Sequence, residues 1–132
     1  MWASRKNRDD VIAVRGEEGQ VVCESCRVPT TIRGRMRGLL GRSELPAGEG
    51  MLLRRVSAIH TLFMRFVIDA VFLDRDQVVV AIESQVPPWR LTSQRRARAV
   101  LELAAGEGAR RDLRVGERLS FSALPFREDE GR

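Results

Sequence analysis

Hydrophobic positions in this chain fall into short runs that alternate with clusters of glycine, proline and charge, a pattern that favours strands over long helices. Val11 to Val14 and Gln20 to Val28 flank the turn cluster Arg15-Gly16-Glu17-Glu18-Gly19, which predicts a first hairpin ended by Pro29. Thr30 and Thr31 are N-cap candidates for a helix running to Leu40, because Ile32, Met36, Leu39 and Leu40 share one helical face. Arg33 and Arg37 line another side of that helix, and Gly34, Gly38 and Gly41 repeat at helical spacing. An interior glycine costs ~1 kcal/mol against alanine, so this row implies a close backbone neighbour or amides open to an anion.

The stretch Ile59 to Asp74 organises the rest. Its apolar, β-branched and aromatic residues predict two strands, Ile59 to Met64 and Ile68 to Leu73, paired as a hairpin through Arg65 and Phe66. Met51 to Leu53, Val78 to Ile82, Ala99 to Leu103 and Leu119 to Phe121 read as further strands, residues 90–96 as a polar loop, and Ala109 to Asp112 as a second short helix. The predicted fold is mainly β, at the margin of α+β: a single-domain antiparallel sandwich or partly open barrel with two short helices. It spans residues 10–124, between a flexible leader (1–9) and a flexible acidic tail (125–132).

Composition narrows the class. A 132-residue chain with 43% hydrophobic and 31% charged residues can bury a core of its own. No apolar run approaches the roughly 20 residues of a spanning helix, and no apolar signal core follows the N-terminus, so a soluble, cytoplasmic protein is expected. The net charge of +5 is carried almost wholly by arginine, Lys6 being the only lysine. Residues 61–132 hold 12 arginines against 11 acids, so the charge forms no obvious basic stripe and a nucleic-acid role is disfavoured.

Candidate chemistry is sparse. Cys23 and Cys26 form a C-x-x-C, but residues three apart on a strand point to opposite faces, which predicts two unlinked thiols, one inward and one outward. That pair plus His60, the single histidine, makes three ligands where a closed zinc site needs four, so neither metal nor cofactor is expected. In the predicted hairpin His60 and Asp69 share a face, the arrangement in which a carboxylate orients an imidazole general base; a structural hydrogen bond is the plainer reading. Asp69, as an acid in an apolar strand, calls for partners, with Arg65 or Arg37 as candidates. Trp89, beside two prolines, is either a ligand platform or a pin holding its loop to the core. The candidate ligand-binding set is therefore Arg37, His60, Arg65, Asp69 and Trp89, with His60 and Asp69 as catalytic candidates. The leading expectation is a non-catalytic module binding a small, anionic ligand or a protein partner. An enzyme built on His60 and Asp69 and an accessory module of a larger assembly are the alternatives.

Several blocks carry a resemblance. RGRMRGLLGR, LPAGEGMLL, IHTLFMRFVIDAVFLDRDQVV and ARAVLELAAGEGARRDLRVGERL, in that order from about Cys26 to Leu119, resemble domain-of-unknown-function family 192. The resemblance implies a small, mainly β domain with short helices and brings no established activity. Some members carry secretory leaders. Close relatives tend to read HTFGMRFPID, whereas this chain has Phe63 for the usual glycine and Val67 for the usual proline. Much of the family has a tryptophan-containing pattern where His60 stands, which argues against imidazole chemistry as a shared function.

Overall fold

Among the described residues, alternating burial builds two sheets and one short helix. A computed structural model describes residues 10–30, 43–62 and 64–124. The elements are β1 (Asp10–Arg15), β2 (Val21–Val28), β3 (Glu49–Arg54), β4 (Ala58–His60), β5 (Ile68–Leu73), β6 (Val79–Val86), β7 (Leu91–Ser93), β8 (Ala99–Ala104), α1 (Glu107–Arg110) and β9 (Ser120–Ala123). Seven strands form one sheet in the order β6-β5-β8-β3-β2-β1-β9, and β4 pairs with β7 in a separate ribbon. The fold is mainly β, as the hydrophobic pattern predicts. The sheet is mixed rather than purely antiparallel, because β2 and β3 run parallel, joined through residues 29–48. A parallel pair needs such a long crossover. The sheet's edge strands approach each other at one end, where a single bridge joins Val78 to Arg118. The sheet is not closed into a barrel, which is consistent with a sandwich or a partly open barrel.

Each face of the large sheet carries its own core. On one side Val14, Val22, Leu52, Val71, Leu73, Leu101 and Leu103 pack with Leu113 and Leu119 from the segment after α1. On the other, Met51, Leu53, Ile68, Ala70, Phe72 and Val100 pack against Leu45, Ile59 and Met64. Strand β5, second from the sheet's edge and flanked by β6 and β8, is buried along its whole length, which accounts for its near-continuous apolar run. Fully burying one such side chain contributes about 1.5–3 kcal/mol.

The first hairpin, β1 with β2, forms as predicted around the cluster at residues 15–19, with Gly19 at φ +85. The second does not. β4 and β5 lie in different sheets: β4 pairs with β7, and β5 pairs with β6 and β8. The reason lies at Thr61, which is fully buried. Its hydroxyl donates to the Pro87 carbonyl (2.7 Å) and accepts the Arg90 amide (2.9 Å). Its own amide donates to the Arg90 carbonyl, and its carbonyl accepts the amides of Met64 and Trp89. Thr61 is committed to the 87–90 loop, so the chain turns away after His60. Residues 91–93, predicted as loop, become the partner strand β7.

Of the two predicted helices, α1 forms two residues upstream of the predicted start, after Gly106 at φ +86. The helix predicted from Thr30 to Leu40 lies outside the described residues, as do the leader, the tail, Phe63 and Arg37. No helix among the described residues is long and apolar enough to cross a membrane.

Candidate functional site

Asp69 illustrates how a buried acid is resolved in this fold. Its side chain is on the face of β5 that lies under α1, and the residue has no solvent exposure. Its Oδ1 accepts the amides of Gln85 (2.9 Å) and Gly106 (3.0 Å), and its Oδ2 accepts the amide of Gly108 (2.9 Å). These donors belong to β6 and to the entry of α1, so one carboxylate ties three segments together. Gly108 is suited to the contact, since a Cβ there would lie 3.2 Å from Oδ2. Among the described residues its partners are backbone amides rather than the Arg65 guanidinium, and it has no exposed surface of its own.

The His60–Asp69 arrangement falls with the hairpin. His60 ends β4 in the small ribbon, exposed, while Asp69 is enclosed within the large sheet with both oxygens occupied. His60 is not among the groups bonded to Asp69, so the orienting pair is not formed here. The structure instead groups His60 with Trp89. Thr61, next to His60, accepts the Trp89 amide, and His60 pairs with Leu91. Trp89 has φ +67 and is 57% exposed, and the backbone and hydroxyl bonds that tie its loop run to Thr61. Leu91 is 76% exposed, and Leu62 and Val67 are exposed nearby in sequence. Arg65 is also exposed, in the loop leading to β5. The ribbon and its flanking loop thus present Leu91 beside His60, with Trp89 exposed on the loop that Thr61 anchors.

The cysteines are both inward, correcting the expectation of one on each side. Ile12 pairs with Cys26 and Val14 with Cys23, so two steps along β1 match three along β2. This β-bulge turns both thiols to the same face. Both are free and fully buried, and Cys23 donates to the Gly48 carbonyl at 3.4 Å. Contact with Cys23, followed by burial, raises Cys26 well above the ordinary thiol range, so it is not a reactive thiolate. Among the described residues no group of three or more His, Cys, Asp or Glu side chains could hold a metal ion.

Two acidic features are informative beyond the predicted set. Glu107, at the start of α1, accepts Arg110 Nε (2.6 Å) and Arg111 Nε (3.0 Å), and Arg111 also reaches Glu24 and the Val21 carbonyl. Hydrogen bonds from these arginines hold Glu107 and Glu24 below the usual carboxylate range. They stitch α1 to β2. Glu102 is different. It sits mid-strand in β8 with Met51 and Ala70 as lateral neighbours, and its Oε1 has no hydrogen-bond partner. Burial alone pushes its carboxyl up to about 7. The alternation of AVLEL places Glu102 opposite to Leu101 and Leu103, and that was the only sign of it in the sequence.

An open, mixed seven-stranded sheet with a two-stranded ribbon at its side defines a small mainly β domain without a recognisable catalytic constellation among its described residues. The chain belongs to the DUF192 family (Uncharacterized ACR, COG1430), whose profile matches residues 12–121. No curated protein matches it. Two solved structures share its fold. One, a protein of unknown function from Novosphingobium aromaticivorans DSM 12444, is 23% identical, with a TM-score of 0.73 over 85% of this chain and 84% of that one. The other, from Sinorhizobium meliloti 1021 and designated a proposed transcription regulator, is 20% identical, with a TM-score of 0.75 over 87% of this chain and 95% of that one.

Proposed function

We propose that this domain is a non-catalytic binding module whose docking face is the β4–β7 ribbon, with a protein as the partner. The observation that carries the reading is the exposure of Trp89 and Leu91 on segments that Thr61 holds rigid. Large apolar side chains presented on a fixed frame suit a contact surface, since little ordering entropy is lost on binding. Tryptophan and arginine dominate the energetics of many interfaces, and Trp89, Arg90 and Arg65 are all exposed here. His60, at the end of the same ribbon and paired with Leu91, adds a polar contact beside it. Arg37 remains part of the proposal and enters its test. The regulator designation of the Sinorhizobium chain contributes nothing to this reading, because 20% identity carries the fold alone.

The test is site-specific photocrosslinking in cells that express the protein, with a benzophenone side chain at Leu91 and, as control, at Ser122 on β9. The proposal expects a discrete crosslinked partner from position 91 that Trp89→Ala and His60→Ala reduce, and no such product from position 122. Arg37→Ala asks whether the predicted helix joins the face. Absence of any discrete product from position 91, or one that Trp89→Ala leaves unchanged, refutes the reading.

A further inference from the structure

We propose that a second site lies at the end of the large sheet where β3 and β5 finish and β8 begins, and that it takes a nucleoside di- or triphosphate. Three neighbouring strands end there in register. Arg54 pairs with Ala99, and Ala99 pairs with Leu73, so the ends of β3 and β5 flank the beginning of β8. Short backbone bonds lock the next row: the Arg98 amide donates to the Leu73 carbonyl (2.7 Å), and the Arg55 amide donates to the Arg98 carbonyl (2.8 Å). Arg54 closes β3, Arg75 stands two residues after β5 and Arg98 immediately precedes β8, so arginines from three separate stretches of sequence gather at this end.

Two adjoining hollows open at this end, sharing Asp74, Arg75 and Arg98. The larger, about 580 Å³, is lined by Arg75, Arg95, Arg96 and Arg98 with Asp74 and Asp76. The smaller, about 310 Å³, presents the partly exposed apolar surfaces of Ala99 and Phe121, with Leu52 and Leu73 buried beneath them, beside Arg54 and Gln77. Both volumes fit a small ligand rather than a long polymer. Arginine elsewhere in this protein is put to structural use, as Arg110 and Arg111 pair with Glu107 and Glu24. Among the described residues, Arg54, Arg75, Arg95 and Arg96 make no such ion pair. Arg98 bends back to the carbonyls of Ala97 and Arg95 with one nitrogen, leaving the rest of its fork. Asp74 is turned to its own backbone, where its Oδ1 accepts the amides of Asp76 and Val78.

This arrangement selects its ligand by chemistry. Like charges held at one rim repel, and a multiply charged anion relieves that repulsion. Planar guanidinium forks match phosphate oxygens in pairs, so several of them favour a chain of phosphates over a single carboxylate. The apolar surface beside them, edged by Phe121 and the amide of Gln77, suits a flat heterocycle that is apolar on its faces and polar at its edge. Phosphates would occupy the arginine-lined hollow and the base the neighbouring one.

Isothermal titration with ATP, tripolyphosphate and adenosine at fixed ionic strength tests this, alongside a single-stranded oligonucleotide. The inference expects ATP to bind at least tenfold more tightly than tripolyphosphate, and adenosine alone to bind weakly. Arg75→Ala with Arg95→Ala, both exposed positions, should weaken ATP at least tenfold without altering the fold. Phe121→Leu should weaken ATP and leave tripolyphosphate unchanged, and Trp89→Ala should affect neither. Equal affinity for ATP and tripolyphosphate, preference for the oligonucleotide, or no binding at millimolar concentration would each overturn it. Because Trp89→Ala is silent here, this result is independent of the docking reading.

Discussion

Replacing Asp69 by alanine removes one small side chain and leaves the amides of Gln85, Gly106 and Gly108 without their acceptor. A buried donor stripped of its partner costs about 1–3 kcal/mol. The Gly108 bond is buried, whereas the other two are part-buried. Water entering the vacated space can serve the latter in part, so the three costs do not simply add. About 3–5 kcal/mol is the expected loss for Asp69→Ala, in line with removing one partner from a buried charged contact. Asp69→Asn keeps an oxygen for Gln85 and Gly106 but sets an NH₂ group against the Gly108 amide, and should cost about 1–2 kcal/mol. Urea unfolding followed by fluorescence measures both, with unchanged m values as the sign that the folded state is otherwise intact. In thermal terms the alanine variant should melt about 10–20 °C lower. An Asp69→Ala protein within about 1 kcal/mol of the parent would show that the carboxylate is no clamp.

Other substitutions probe the remaining joints. Glu102 binds its proton more tightly folded than unfolded, its carboxyl rising from 4.5 to about 7, so stability should fall as pH rises from about 4.5 through 7. The loss by pH 8 should be about 3 kcal/mol at 1.4 kcal/mol per pH unit, and Glu102→Gln should remove most of this slope in urea titrations between pH 5 and 8. Gly108→Ala, which in an open helix would stabilise, should destabilise by about 1–2 kcal/mol, because its Cβ would press on an Asp69 oxygen that three amides hold still. Gly50→Ala should be worse in calorimetry, about 2–3 kcal/mol, since the new carbon would meet the Glu102 carbonyl at 2.8 Å and Cys23 Sγ at 3.0 Å. Arg111→Met should cost about 1–3 kcal/mol and loosen α1, read as faster amide exchange at residues 107–111.

Much of the fold was legible because half-buried strands leave alternation in sequence. β1, β2, β3, β8 and the turn at residues 15–19 were placed within a residue or two, and an acid in the apolar run of β5 announced that Asp69 needed partners. What alternation does not carry is pairing. The run from Ile59 to Leu73 looked like a hairpin, but a single buried threonine redirected its first half to a strand too short and polar to be noticed. The partners Asp69 has among the described residues are amides, two of them on glycines more than 30 residues downstream that present bare backbone to it. One inserted residue in β2 reversed the expectation for the cysteines. The arginine-lined end was invisible for the same reason as the hairpin, since its residues are adjacent only through sheet register.

The account depends most on the β4–β7 ribbon being a place where something docks. Hydrogen exchange on the crosslinked complex, compared with the free protein, addresses that directly. Protection confined to residues 58–62 and 87–93, with exchange elsewhere unchanged, is the predicted result. Protection absent from those residues, or found instead along the β1–β9 edge, would contradict it.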